Sequence, residues 1–245
     1  MRRVNVWYLY HSGFAVETED SVLIFDYFKN ECTGNPCLAN GVINPEELKD
    51  KKHVYVFASH RHPDHFNPVV LSWKEILPQA EYFLSYDIPK QYHKNGINII
   101  SPNETYQTGN IVVRSFKSTD EGVAFLLDFN GLSIYHAGDL NWWHWFGEPD
   151  DWNKNMEHMY KKEISLIKDY PIDIAFLTAD PRQEDAELWG ITYFLENVDV
   201  KVAFPMHFWD DYSIMPRIKD AAKDNPVLYK VITIDSRGQH FSFPY

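Results

Sequence analysis

The chain has 245 residues, 44% hydrophobic and 16% aromatic, enough apolar matter to bury a sizeable core and within the size of one α/β domain, expected here to span residues 1–245. A net charge of −12 offers no general basic surface for a nucleic-acid backbone, so nucleic acid is not an expected partner. Two arginines open the sequence, but the apolar run behind them is short, alternating and interrupted by His11, so neither a signal peptide nor a membrane span is expected, and a cytoplasmic location is.

In chain order, the expected strands begin with VNVWYLY, FAVETE and SVLIFDYF, rich in β-branched and aromatic residues. Cys32 and Cys37 follow in CTGNPC, a turn-rich loop that reads as two free thiols, too few for a structural zinc site. HVYVFAS is the next strand, and PVVLSWKEIL reads as a helix with Asn67 as N-cap and Pro68 at its first position. EYFLSY, INIIS, IVVRSFKS, VAFLLDF and LSIYHAG continue as strands. After them, helices alternate with strands: DDWNKNMEHMYKKEISLIKDY, then IDIAFLTA, QEDAELWGITYFLENV, VKVAFPMH and SIMPRIKDAAKD, before the strands YKVITI and QHFSF. Hairpin-like strands first and helices between strands later suggest an α/β (α+β) chain with two sheets covered by helices, a four-layer αββα sandwich.

The densest chemistry lies in ASHRHPDHF, residues 58–66, at the carboxyl end of an apolar strand, where α/β ligand sites gather. His60 and His62 are two apart, so in an extended segment both point to one side. Asp64 and His65 lie beyond the Pro63 turn. Three imidazoles and a carboxylate within six residues repel one another when the rings are charged, and a shared metal ion gives them a common partner. Imidazole and carboxylate without thiolate suit zinc, manganese or iron.

HRHPDH matches the His-x-His-x-Asp-His signature of the metallo-β-lactamase superfamily. IYHAGD resembles the segment that delivers that family's metal-bridging aspartate, here Asp139, and FPMHF the segment carrying its last histidine ligand, here His207. YHSGFAVE followed by LIFDYF resembles the opening strands of the branch that includes the ascorbate-6-phosphate lactonase and many small metal-dependent hydrolases. The resemblance implies the metallo-β-lactamase type of αββα sandwich and one or two divalent ions. It implies that His60 and His62 bind one metal while Asp64, His65 and His207 bind a second, with Asp139 between them. Two ions about 3.5–4 Å apart would hold a bridging water whose pKa falls toward ~7, a hydroxide nucleophile at neutral pH. Asp64 would orient it.

Further residues are read as substrate contacts. His11 ends the first strand on the expected metal face, and Trp142 lies in NWWHWF just after the Asp139 turn, where indoles can wall an apolar or sugar-like substrate. Asp180 and Arg182, in ADPR, stand at a strand end where an arginine can clamp a carboxylate or phosphate. His136 reads as a packed histidine rather than a ligand. Relatives usually supply one more histidine to the site of His60 and His62 from the loop before the strand VAFLLDF. Here that loop is RSFKSTDEG, which leaves Asp120, water or His11 to take the place.

The expected function is hydrolysis of a small-molecule phosphodiester, phosphorylated lactone or related ester. A catalytically silent metal-binding or sensory module is the alternative from another class. A di-iron oxidoreductase on the same fold is disfavoured, because the flavin-linked di-iron relatives carry a glutamate where His62 stands.

Overall fold

The computed structural model describes residues 3–245, which divide into two compact units, residues 3–101 with 235–245, and residues 102–234.

The first unit begins with β1 (Arg3–Tyr10), β2 (Gly13–Glu17), β3 (Ser21–Phe25), β4 (His53–Ala58), β5 (Ala80–Ser85) and β6 (Ile97–Ile100), hydrogen-bonded in that order. Pairing is antiparallel from β1 to β3 and parallel from β3 to β6. The parallel strands are apolar on both faces, as expected of strands buried on both sides. Leu9, Ile24, Val54, Val56, Trp73 and Leu84 pack into one core cluster, while Phe25, Phe57 and Phe83 stack in register across the sheet.

The second unit carries β7 (Thr105–Thr108), β8 (Ile111–Lys117), β9 (Val123–Phe129), β10 (Leu132–His136), α1 (Asp150–Ile167), β11 (Ile172–Thr178), α2 (Trp189–Asn197), β12 (Val200–Met206) and α3 (Ile214–Ala221). Its sheet runs β12-β11-β10-β9-β8-β7. β7 to β10 form an antiparallel meander, and α1 and α2 lie in the crossovers that let β10, β11 and β12 pair in parallel. The chain then returns to the first unit with β13 (His240–Pro244), antiparallel to β1.

Most expected strands are present, with local differences. YKVITI is not a strand: Pro226 opens a short 3₁₀ helix capped by the Asn225 side chain, and only Val231 bridges to Ala203. TYQT, short and polar, forms the edge strand β7 that hydrophobic patterning misses. PVVLSWKEIL begins at Pro68 with the Asn67 cap, but as a 3₁₀ helix over Pro68–Glu75. The segment expected as one helix from Gln183 is instead a 3₁₀ stretch, Pro181–Ala186, kinked at Glu184 with φ 53°, followed by the separate helix α2. Cys32 and Cys37 are free. Among the described residues, no helix is long and apolar enough to cross a membrane.

Candidate functional site

In the first unit, the carboxyl ends of β3 and β4 hold Asp26 and Ser59, both fully buried. Asp26 accepts from the Ser59 backbone N–H at 2.7 Å and from the Ser59 hydroxyl at 2.6 Å. The imidazole of His65 stands 2.7 Å from the same carboxylate through Nδ1. An ionised carboxylate only accepts, so His65 carries its proton on Nδ1 and presents Nε2. Ser59 Oγ, having donated to Asp26, accepts from His60 Nδ1 at 3.0 Å, which assigns the same tautomer to His60. His60 Nε2 then faces His62 Nδ1 at 2.9 Å.

Asp64 lies on the same loop. Its Oδ2 is 3.3 Å from His11 Nε2 and 3.8 Å from His65 Nε2. Burial opposes its charge, but His11 and His65 outweigh burial and hold the carboxyl well below the usual range. One ligand atom from each of His11, Asp64 and His65 lies within 4.8 Å of the others.

In the second unit, Asp139 sits in the turn after β10 and His207 directly follows β12, with φ 71°. His207 Nε2 is 3.4 Å from Asp139 Oδ1, and its Nδ1 is 2.9 Å from Asp180 Oδ2. Burial disfavours the imidazolium, yet Asp139 and Asp180 push the pKa of His207 up to about 10. Asp180 is likewise opposed by burial, but His207 and Arg182 hold it down at about 2. The ring is thus arranged as His65 is, with a buried carboxylate on Nδ1.

The remaining expected residues fall in different surroundings. Arg182 is committed to Asp180, through Nε at 3.0 Å and Nη2 at 2.5 Å. Trp142 packs edge-on against Trp189 and Tyr193 with the Lys161 ammonium over its face. Trp143 is the indole at Asp139 and His207: Nε1–H donates to the Asp139 carbonyl at 3.0 Å and the ring meets His207 at 5.5 Å. Asp120 is exposed, while the neighbouring Thr119 hydroxyl donates to the Asn141 carbonyl and accepts its N–H, pinning the Asp139 turn. His136 is buried, with Nδ1 accepting from Gly138 N–H at 3.1 Å.

Sequence reasoning passed over Asp26, Ser59 and Trp143. Asp26 did leave a signal, an aspartate inside the apolar run VLIFDYF, which can be buried only with partners.

Residues 5–143, more than half of the chain, match the Beta-lactamase superfamily domain. The chain belongs to this superfamily. Among solved structures, this superfamily member is similar to Igni18, a metallo hydrolase from the archaeon Ignicoccus hospitalis, with TM-score 0.68 and 17% identity over 99% of both chains. It is similar to a candidate metal-dependent hydrolase from Parabacteroides distasonis, with TM-score 0.64 and 16% identity over 94% of this chain and 92% of that one. CmlA, a diiron β-hydroxylase from Streptomyces venezuelae, matches at TM-score 0.64 and 10% identity over all of this chain and 54% of its own. No curated protein sequence matches. These likenesses give the chain the mixed α/β, two-sheet fold of the superfamily.

The residues present fit a divalent metal. Their donors are imidazole nitrogen and carboxylate oxygen, with no thiolate, and His60, His65 and His207 each have Nδ1 engaged so that Nε2 is the donor offered.

Proposed function

We propose that this chain is a metal-dependent hydrolase acting on a small-molecule phosphodiester, phosphorylated lactone or related ester, with residues 1–245 serving as one catalytic domain. The observation that carries the reading is the pair of buried carboxylates, Asp26 and Asp180, fixed on Nδ1 of His65 and His207. Such outer partners orient an imidazole and raise its basicity as a ligand. The ligand set proposed is His60 and His62 for one ion, Asp64, His65 and His207 for another, and Asp139 for both, with zinc, manganese or iron as the metal. When bound, such ions supply Lewis acidity and lower the pKa of coordinated water. Asp64 orients the attacking water, and Trp143 fixes the Asp139 backbone and the His207 ring. The opening YHSGFAVE and LIFDYF segments favour the branch of the ascorbate-6-phosphate lactonase. The two free cysteines favour a reducing compartment, the cytoplasm.

The test is metal analysis of the purified protein followed by a panel of chromogenic phosphodiesters, lactones and thioesters. We expect turnover of at least one class, abolished by Asp64→Ala. Tight metal binding with no turnover across the panel would instead make the chain a silent metal-binding module.

A further inference from the structure

We propose that His11 is itself a metal ligand, joining Asp64 and His65. The assignment rests on the metal-dependent reading above and adds to it a donor that lies outside the signature motif, 49 residues before His60 in the sequence.

Distance is the first argument. Two donors each ~2.1 Å from one ion at a tetrahedral angle lie about 3.4 Å apart. His11 Nε2 and Asp64 Oδ2 are 3.3 Å apart, and His65 Nε2 is 3.8 Å from the same oxygen. A hydrogen bond from His11 to Asp64 accounts for two of these atoms. A shared ion accounts for all three, whose mutual separations stay within 4.8 Å. His65 has its Nδ1 on Asp26, so Nε2 is the atom it can offer the group.

The backbone shows how the ring is placed. His11 is not glycine, yet it takes φ 56°, a left-handed conformation that costs a side chain of this size energy and that surrounding structure must impose. The means are visible. The β1–β2 pairing shifts register between Tyr8 and Tyr10, and the His11 backbone N–H donates to the buried Tyr8 hydroxyl at 2.8 Å. Gly13 then lets the turn close against Asp26: a Cβ there would come within 3.0 Å of the Asp26 and Tyr10 carbonyl oxygens. The same turn that aims His11 is therefore packed on the residue that orients His65.

Chemistry completes the case. His11 is fully buried beside a carboxylate. The loop RSFKSTDEG contains no histidine, and its Thr119 hydroxyl is used on the Asn141 backbone. His11 therefore adds an imidazole beside Asp64 and His65 rather than beside His60 and His62.

Cobalt(II) is the probe. The wild-type chain, His11→Ala and His11→Gly are loaded with cobalt(II), their visible absorption recorded and their affinities measured by chelator competition. Glycine suits φ 56° and keeps the turn, so His11→Gly is the variant expected to fold if His11→Ala does not, and thermal unfolding checks both. Loss of an outer partner costs about 10–100-fold in affinity. We expect His11→Gly to lose more than ~100-fold, to change the cobalt absorption, and to regain both on addition of imidazole. A folded variant with unchanged absorption, a loss of ~100-fold or less, or no response to imidazole overturns the assignment while leaving the hydrolase reading intact. A wild-type chain that takes up no cobalt overturns both.

Discussion

Asp26 accepts three hydrogen bonds on two oxygens, from the Ser59 N–H, the Ser59 hydroxyl and His65 Nδ1, at 2.6 to 2.7 Å. A buried carboxylate without partners would cost several kcal/mol, and here every short contact is charge-assisted. Through Ser59, the same carboxylate reaches His60, so one side chain sets the tautomer of two imidazoles that the proposed function assigns to different ions. Asp26→Asn puts an amide N–H₂ where one oxygen accepted, leaving a donor facing a donor. We expect a loss of about 1–3 kcal/mol in stability and of about 10–100-fold in zinc affinity, read by urea unfolding and chelator competition. Unchanged affinity would mean that packing alone holds the rings.

At the level of elements, the Asp139 turn depends on how closely α2 approaches it. A Cβ on Gly190 would lie 1.8 Å from Asn141 Oδ1, and Asn141 cannot easily yield, because its amide donates to Gln183 at 2.8 Å and its backbone is tied to Thr119. Gly190→Ala should therefore destabilise the fold by about 1–3 kcal/mol through overpacking, and shift the indole ring of Trp143, which a tryptophan fluorescence spectrum and a thermal unfolding curve would report. A variant as stable as wild type would show that the turn can move. This contact also marks the limit of what patterning reveals. HRHPDH was legible because six consecutive residues carry its chemistry, and the β strands because their apolar runs are continuous. Gly190, Asp26 and Ser59 act through neighbours distant in sequence, and Glu184 kinks the 3₁₀ stretch before α2 by its φ angle. Neither kind of information is local to a run of letters. YKVITI shows the converse: its β propensity is genuine, but Pro226 and the Asn225 cap decide the backbone before propensity acts.

At the scale of the whole molecule, the first unit is closed by the last part of the chain. Arg237 donates to the carbonyl oxygens of Leu9, Lys29, Glu31 and Gly41 at 2.5 to 2.9 Å, binding the end of β1 to the cysteine-containing loop. These contacts span about 200 residues of sequence, so the first unit is completed only when the end of the chain returns to it, and contacts of such separation slow folding. Arg237→Ala should cost about 1–3 kcal/mol and leave one cooperative transition at a lower temperature; no change in calorimetry would mean that β13 alone holds the loop. Metal content is the other property of the molecule as a whole. The proposed donors are unevenly distributed: Asp64, His65, His207 and Asp139, joined by His11, are assigned to one ion, against His60, His62 and Asp139 for the other, which gains no imidazole from residues 114–122. Each missing ligand removes a contact that water only partly replaces. Extensive dialysis should therefore leave the ion of Asp64, His65, Asp139 and His207 in place and deplete the one at His60 and His62, giving a metal content nearer one equivalent than two. Two fully retained equivalents, with two equal anomalous peaks in a crystal, would show that the histidine-poor site binds as tightly as the other.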